Sequence, residues 1–375
     1  MRILYVTTIS NTIKAFLIPH IKLLISKGHT VDIACYIKKG LDDEPTLKHC
    51  NIYEIPFSRS PISRGNLKAY KYLKKIIENN KYDLVHTHTP VASLITRLIC
   101  RGLPEIKVLY TAHGFHFFKG SPIRNWMIYY PIEKLASRWT DAIITMNEED
   151  YLRAKKMTSR LNVNIYKTSG VGVNLREYAA PGEKYKRELR VKYKLNEEDF
   201  ILFYAAELNK NKNQNFLIDT IYALKDRVPN IKILLAGDGP MQEKYQEKAK
   251  RLGLKQNILF LGRRNDIPDL LKLADVSVAS SLREGLPVNI MEAMSTGLPL
   301  VVTDRRGHTD LVKENENGYV VSVNNKKEFS EAIYKLYTNV NLRKRFGGNS
   351  YKMVLNYSDE NVIEELRNIY KYYLE

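Results

Sequence analysis

Residues 280–304, SSLREGLPVNIMEAMSTGLPLVVTD, read as the end of one strand, a loop, a short helix and a second strand. The loop carries Glu284-Gly285-Leu286-Pro287, Glu292 falls in the second turn of the helix, and Gly297 closes it before the apolar run 300–303. Seven residues separate Glu284 from Glu292, so a loop carboxylate and a helix carboxylate can face one ligand. The unpaired N–H groups of a helix start, here those of Leu286, Val288 and Asn289, suit a diphosphate. A glutamate can accept hydrogen bonds from both vicinal hydroxyls of a ribose. Two isolated glutamates would read as a solvated surface; the surrounding Gly-Leu-Pro and Glu-Ala-Met pattern argues for a site.

A strand–helix–strand unit predicts a parallel sheet, and the rhythm extends in both directions. Upstream it gives strands at 200–205, 231–236, 258–261 and 276–279, with helices at 213–228, 241–252, 267–273 and 288–295. Closing helices are expected at 329–339 and 361–374. The first half repeats the pattern, with strands at 2–8, 30–35, 82–88, 107–111 and 142–146 and helices at 16–27, 66–80 and 91–100. Residues 168–178, TSGVGVNLREY, break the rhythm and read as a linker. Two doubly wound α/β domains with a cleft between them are therefore expected, with ligands at the carboxyl ends of the strands. That rule draws attention to the loop at 7–16, and to the histidines after two first-half strands: His86 and His88, then His113 and His116. His86 and His88 divide between packing and acceptor-site roles, and His116 is a further acceptor-side candidate. No Asp-x-Asp occurs and no carboxylate accompanies the histidine pairs, so no metal is expected.

The Glu284–Glu292 spacing, with Glu-Ala-Met and Leu-Pro-Leu-Val-Val-Thr-Asp, resembles the E-x7-E motif of family-4 retaining glycosyltransferases of the GT-B fold. Residues 234–240 (LLAGDGP), 260–275 (FLGRRNDIPDLLKLAD) and 169–174 (SGVGVN) agree with that family in order and spacing, so the resemblance covers essentially the whole chain. It implies two Rossmann-like domains facing each other across a cleft: an acceptor domain of residues 1–168 plus about 356–375, whose last helix returns to it, and a nucleotide-sugar domain of 169–355. It further implies that Glu292 binds the ribose, Glu284 lies near the donor sugar, and the backbone of Gly285, Leu286, Pro287 and Val288 holds sugar and β-phosphate. Lys212 would neutralise the departing diphosphate, and His113 would hydrogen-bond a sugar hydroxyl beside the reacting carbon. The family commonly has Gly-Arg-Leu where this chain has Ala206-Glu207-Leu208; Asn209, Arg263 or Arg264 would have to replace that arginine. The first loop also lacks the Gly-Gly common among relatives.

Composition is that of an ordinary globular protein, 44% hydrophobic and 27% charged over 375 residues, and the net charge is +18. Residues 1–175 hold 26 Lys/Arg against 13 Asp/Glu, so the surplus lies mainly in the first half. Scattered lysines are also what a Lys-rich, low-GC composition produces. Three unspaced cysteines and no membrane-length apolar run fit a reduced cytoplasmic protein without signal peptide, zinc site or cofactor. No nucleic-acid-binding signature appears and no Gly-x-Gly-x-x-Gly follows either domain's first strand, which speaks against a nucleic-acid partner and a dinucleotide oxidoreductase. With the resemblance, the expectation is transfer of a hexose or N-acetylhexosamine from a UDP-sugar to a polyprenyl-diphosphate-linked glycan in capsule or exopolysaccharide synthesis. The enzyme would be peripheral at the inner face of the membrane, held to anionic lipid by the basic helix at 64–81 and the aromatics of 116–126. A UDP-sugar 2-epimerase of the same architecture is the alternative; it would need acid/base carboxylates in the first domain.

Overall fold

The computed structural model describes residues 1–38, 40–41, 43–58, 60 and 63–374. The chain forms two compact units, Met1–Val171 with Asp359–Glu375, and Gly172–Ser358. Each is built on one wholly parallel sheet.

The first sheet contains β1 (Arg2–Ile9), β2 (Thr30–Tyr36), β3 (Ile52–Glu54), β4 (Leu84–His88), β5 (Lys107–Ala112), β6 (Ala142–Thr145) and β7 (Asn164–Lys167), in the order β3-β2-β1-β4-β5-β6-β7. Its central strands are buried on both faces, so they read as continuous apolar runs rather than alternations. The strand order reverses between β1 and β4, which opens a crevice at their carboxyl ends. The second sheet contains β8 (Phe200–Ala205), β9 (Ile231–Ala236), β10 (Ile258–Gly262), β11 (Val276–Ala279), β12 (Leu300–Thr303) and β13 (Gly318–Val321), in the order β10-β9-β8-β11-β12-β13. Here the reversal falls between β8 and β11.

The C-terminal helix Asp359–Leu374 is integral to the first unit. Val362, Leu366, Ile369, Tyr370 and Leu374 join Ile21, Leu24 and Ile33 in one core cluster. The Tyr370 hydroxyl contacts that of Tyr5 and bonds His86 Nδ1 at 2.6 Å. Glu365 accepts from Ser169 N and Oγ, both at 2.7 Å, which fixes the chain where the first unit ends. At the amino-terminal end of the sheet the buried Asp32 carboxylate is held by Arg2, Tyr82 and Asn51.

Several elements differ from the sequence reading. The expected loop at 7–16 is mostly helical: helix starts at Ser10, passes through a π-type stretch Ile13–Leu17, and continues as Ile18–Ser26. Pro19 has no N–H to give the Ala15 carbonyl, and a wider turn accommodates that loss. The strand expected from Tyr82 starts at Leu84, where pairing with Ile3 begins. Helices Ile123–Ala136, Glu148–Thr158, Glu183–Lys192 and Val340–Val354 and strands β3, β7 and β13 were not anticipated. The aromatics expected to be exposed at 116–126 are largely core: Phe117 and Phe118 are buried and Trp126 is half-buried against Phe117. On helix Gly65–Asn80, Leu73 is buried and Tyr70 packs against the core.

Leu366→Ala removes a side chain that is 3% exposed from this helix. The first unit should lose about 2–5 kcal/mol, read as a lower urea midpoint.

Candidate active site

The loops that follow β8 and β11, the strands flanking the second reversal point, are tied to each other. Ser280 Oγ donates to the carbonyls of Lys212 and Asn213 at 2.9 and 3.0 Å. Leu282 N donates to Asn211 O at 2.8 Å, and Asn211 Nδ2 returns a bond to Arg283 O at 3.0 Å. Below them the Tyr204 hydroxyl meets Ser281 Oγ at 2.7 Å, and Thr303 Oγ1 donates to Ser281 O at 2.8 Å. The result of this cross-bracing is one ion pair: Lys212 Nζ lies 2.5 Å from Glu284 Oε1, with side chains only 22% and 12% exposed. Burial alone would push the Glu284 carboxyl up; the charges of Lys212 and then His308 outweigh it and hold the group below the usual glutamate range.

After Pro287 the helix Val288–Ser295 begins without a side-chain cap. Among the described residues, the N–H groups of Gly285, Leu286, Val288 and Asn289 have no protein acceptor. Uncapped N–H groups at a helix start favour an anion. The loop is also supported from behind. Arg306 Nε donates to Glu284 O at 2.8 Å. Gly307 adopts φ +82°, and a Cβ there would stand 2.4 Å from Gly285 O, so only glycine allows this approach. Asn289 Nδ2 donates to Ala205 O at 3.0 Å, fixing the helix start to the end of β8. Glu292 differs from Glu284: burial raises its carboxyl, and the Tyr178 hydroxyl hydrogen-bonds it.

Glu284, Gly285, Leu286, Pro287, Val288, Lys212 and Glu292 are thus gathered within one unit on contiguous loops and one helix. The candidates for the missing arginine fare differently. Asn209 spends its side chain locally, accepting from Lys212 N at 2.9 Å and donating to Glu207 at 2.9 Å. Arg264 is bound to Asp266. Arg263 is exposed. Tyr178, Arg306, Gly307 and His308 were missed by the sequence reading, although Arg306 and Gly307 lie in the loop after β12 and His308 opens the short helix that follows, where the strand-end rule points. His308 is buried, with Nδ1 at 2.9 Å from Thr303 O and Nε2 without a partner.

In the first unit the histidines cluster at the ends of β4 and β5. His86 is fully buried, with Nδ1 on Tyr370 and Nε2 at 2.8 Å from Thr111 Oγ1, an arrangement that fits its packing reading. His88 is also buried, stacked on Tyr5, and its Nδ1 lies 3.2 Å from His113 Nε2. His113 is half-buried beside Phe16, and burial pushes it down to about 4, so the ring is neutral at neutral pH. His116 packs on the Tyr129 ring. His20, which the sequence did not single out, is buried with both ring nitrogens unpartnered and is pushed down to about 3 by burial and then by His113.

Two Rossmann-like units on parallel sheets, the second with an uncapped helix after its reversal point, define the GT-B class of glycosyltransferase fold. The HepE structure from Anabaena, solved with UDP, has this fold: it superposes with a TM-score of 0.80 over 99% of this chain and 100% of that one, at 18% identity. Residues 185–353 match the family model described as glycosyl transferases group 1, and residues 2–147 match the one described as glycosyl transferase 4-like. A Bacillus subtilis (strain 168) protein that carries the name glycosyltransferase EpsD is 40% identical over 376 residues, covering 100% of this chain and 97% of that protein. The Escherichia coli UDP-Gal:alpha-D-GlcNAc-diphosphoundecaprenol alpha-1,3-galactosyltransferase is 30% identical over 277 residues, 72% of this chain and 70% of its own. The chain belongs to the family-4, group 1 glycosyltransferases.

Lys212→Met should leave Glu284 buried without its counter-charge and cost the second unit about 3–5 kcal/mol at neutral pH, with Glu284→Gln restoring part of the loss. Because the folded pKa of Glu284 is depressed, its contribution to stability is present above the unfolded value and is lost as pH falls through the folded one. In Lys212→Met that dependence should invert, with stability recovering on acidification. Urea unfolding from about pH 7 down to well below the ordinary glutamate value of about 4.3 measures both.

Proposed function

We propose that this glycosyltransferase transfers a hexose or N-acetylhexosamine, with retention, from a UDP-sugar to a polyprenyl-diphosphate-linked glycan. The observation that carries the donor half is the Lys212–Glu284 pair beside an uncapped helix start, with Glu292 one turn further on. Open N–H groups and an ammonium suit a diphosphate, and a carboxylate two-sided in its acceptor capacity suits a ribose. The HepE structures, which contain UDP, UDP with glucose, and UDP-glucose, support the choice of nucleotide. The name of the Escherichia coli relative, a transferase acting on a diphosphoundecaprenol-linked sugar, supports the acceptor class.

In the proposed reaction the acceptor hydroxyl attacks the anomeric carbon from the face that the diphosphate leaves. The new C–O bond forms as the bond to the β-phosphate oxygen breaks, and the acceptor proton passes to the departing diphosphate. No metal is invoked; Lys212 and the helix N–H groups bear the developing charge. Glu284 keeps the ammonium in place, and the Gly285–Val288 backbone holds the sugar and β-phosphate. On the first unit, neutral His113 is held through Nε2 by His88, and its Nδ1 has no partner among the described residues, so it can bond a sugar hydroxyl. Arg263, exposed and close in sequence to the end of β10, is the remaining candidate for a second diphosphate cation. The product would enter capsule or exopolysaccharide synthesis, with the enzyme peripheral at the cytoplasmic face. Among the described residues no helix is long and apolar enough to cross a membrane.

The epimerase alternative gains nothing from the first unit's buried carboxylates. Asp32 is bound by Arg2 and Tyr82, Glu133 by Arg97, and Asp150 by Phe115 N and Asn147.

Calorimetric titration with UDP, GDP and ADP tests the donor site. UDP should bind saturably, and Glu292→Ala should weaken it about tenfold or more, equivalent to roughly 1.4 kcal/mol. Glu292→Gln should weaken it similarly while leaving the unliganded protein at least as stable, since it removes a buried charge. UDP binding indifferent to Glu292 would remove the assignment. EDTA should leave transferase activity unchanged.

A further inference from the structure

The helix Ile123–Ala136, IRNWMIYYPIEKLA, is sharply two-sided. Toward the sheet it buries Glu133 and Ala136, and Trp126 and Tyr130 pack around Phe117 with ring centroids at 5.7 and 5.3 Å. The opposite side leaves Ile123 77%, Met127 72%, Ile128 51% and Leu135 49% exposed. Arg124, Lys134 and, just past the helix end, Arg138 are exposed as well. At 3.6 residues per turn these seven positions fall within an arc of about 140°.

The arc carries no carboxylate. The helix's one acid, Glu133, points the other way and is paired with the buried Arg97 at 2.8 Å. The basic apolar character continues on neighbouring helices of the same layer. Pro90–Cys100 packs against this helix and exposes Leu98, and Gly65–Asn80 packs against that one and exposes Leu67 and Tyr72 among Lys68, Lys71, Lys74 and Lys75.

Four large aliphatic side chains exposed on one helix face are a liability in water unless something covers them. Their interleaving with cations decides what. Protein interfaces deplete charged residues, lysine among them, at their apolar centres and keep a polar rim. A bilayer surface asks for the pattern seen here: aliphatic side chains between acyl chains, with lysine and arginine reaching back to phosphates. We propose that the exposed face of helix Ile123–Ala136 docks the protein on an anionic phospholipid bilayer, with helix Gly65–Asn80 adding electrostatic attraction. The docking surface deepens the membrane part of the proposed function and does not depend on the identity of the donor.

The test is sedimentation of the full chain with vesicles of phosphatidylcholine alone and of phosphatidylcholine with phosphatidylglycerol. The parent protein should pellet with the anionic vesicles and far less with the neutral ones. The variant Ile123→Ser/Met127→Ser/Ile128→Ser and the variant Arg124→Glu/Lys134→Glu/Arg138→Glu should each lose about tenfold or more in partition, with the parent's binding weakened by salt. Melting curves and UDP titration of the same variants establish that they fold, and separate this result from the donor-site reading. A parent protein that stays in the supernatant, or a serine variant that pellets as before, overturns the proposal. So does concentration-dependent self-association in the ultracentrifuge that the serine variant abolishes, since that would assign the face to a second copy of the chain.

Discussion

A buried carboxylate is tolerable only if something nearby repays its lost hydration, and in the second unit that something is Lys212. The Lys212–Glu284 pair brings together two loops that are 72 residues apart in the chain, and much of the local architecture serves to hold them. Ser280 grips the carbonyls of Lys212 and Asn213, Asn211 reaches over to Arg283, and Arg306 and Gly307 back the Glu284–Gly285 turn. With the loops set, the Val288–Ser295 helix starts at a defined place with its first N–H groups open. The same contacts that stabilise the unit therefore pre-position a cation and a set of dipoles before any ligand arrives, the condition under which electrostatic stabilisation costs least.

The first unit handles its polar interior differently. Its strand ends carry imidazoles rather than charges, and burial drives His20, His86, His88 and His113 toward the neutral form. Neutral rings can share hydrogen bonds without counter-ions, as His88 and His113 do, and as His86 does with Tyr370 and Thr111. The returning C-terminal helix supplies Tyr370, so the last residues of the chain fix a histidine on β4. In the proposed chemistry Lys212 and the open helix N–H groups stabilise the leaving group, and the neutral His113 ring orients a hydroxyl.

The alternation of apolar runs and helical spacing was enough to read both sheets at their centres, because strands buried on two faces announce themselves. Of the edge strands only β10 was legible: Ile52–Glu54, Asn164–Lys167 and Gly318–Val321 are too short to show a pattern. Helix Ile123–Ala136 was missed because aromatic, aliphatic and charged residues alternate without one clean apolar stripe, both sides being apolar for different reasons. Within the site, the spacing of Glu284 and Glu292 is visible in the sequence, and Lys212 follows only from the family resemblance. Tyr178, Arg306 and His308 do not, since their roles depend on which loops the fold brings together. The sequence also does not tell His86 from His88: two residues apart on one strand they look equivalent, yet one is tied off in the core and the other holds His113.

The proposed chemistry requires the Lys212–Glu284 pair to act on a diphosphate. The most direct measurement is the difference in binding free energy between UDP and UMP, taken calorimetrically on the parent protein and on Lys212→Met. If Lys212 contacts the terminal phosphate, UDP should bind the parent much more tightly than UMP, and the substitution should collapse that difference while leaving UMP binding nearly unchanged. A difference that survives the substitution, or an equal loss for both nucleotides, would contradict the assignment.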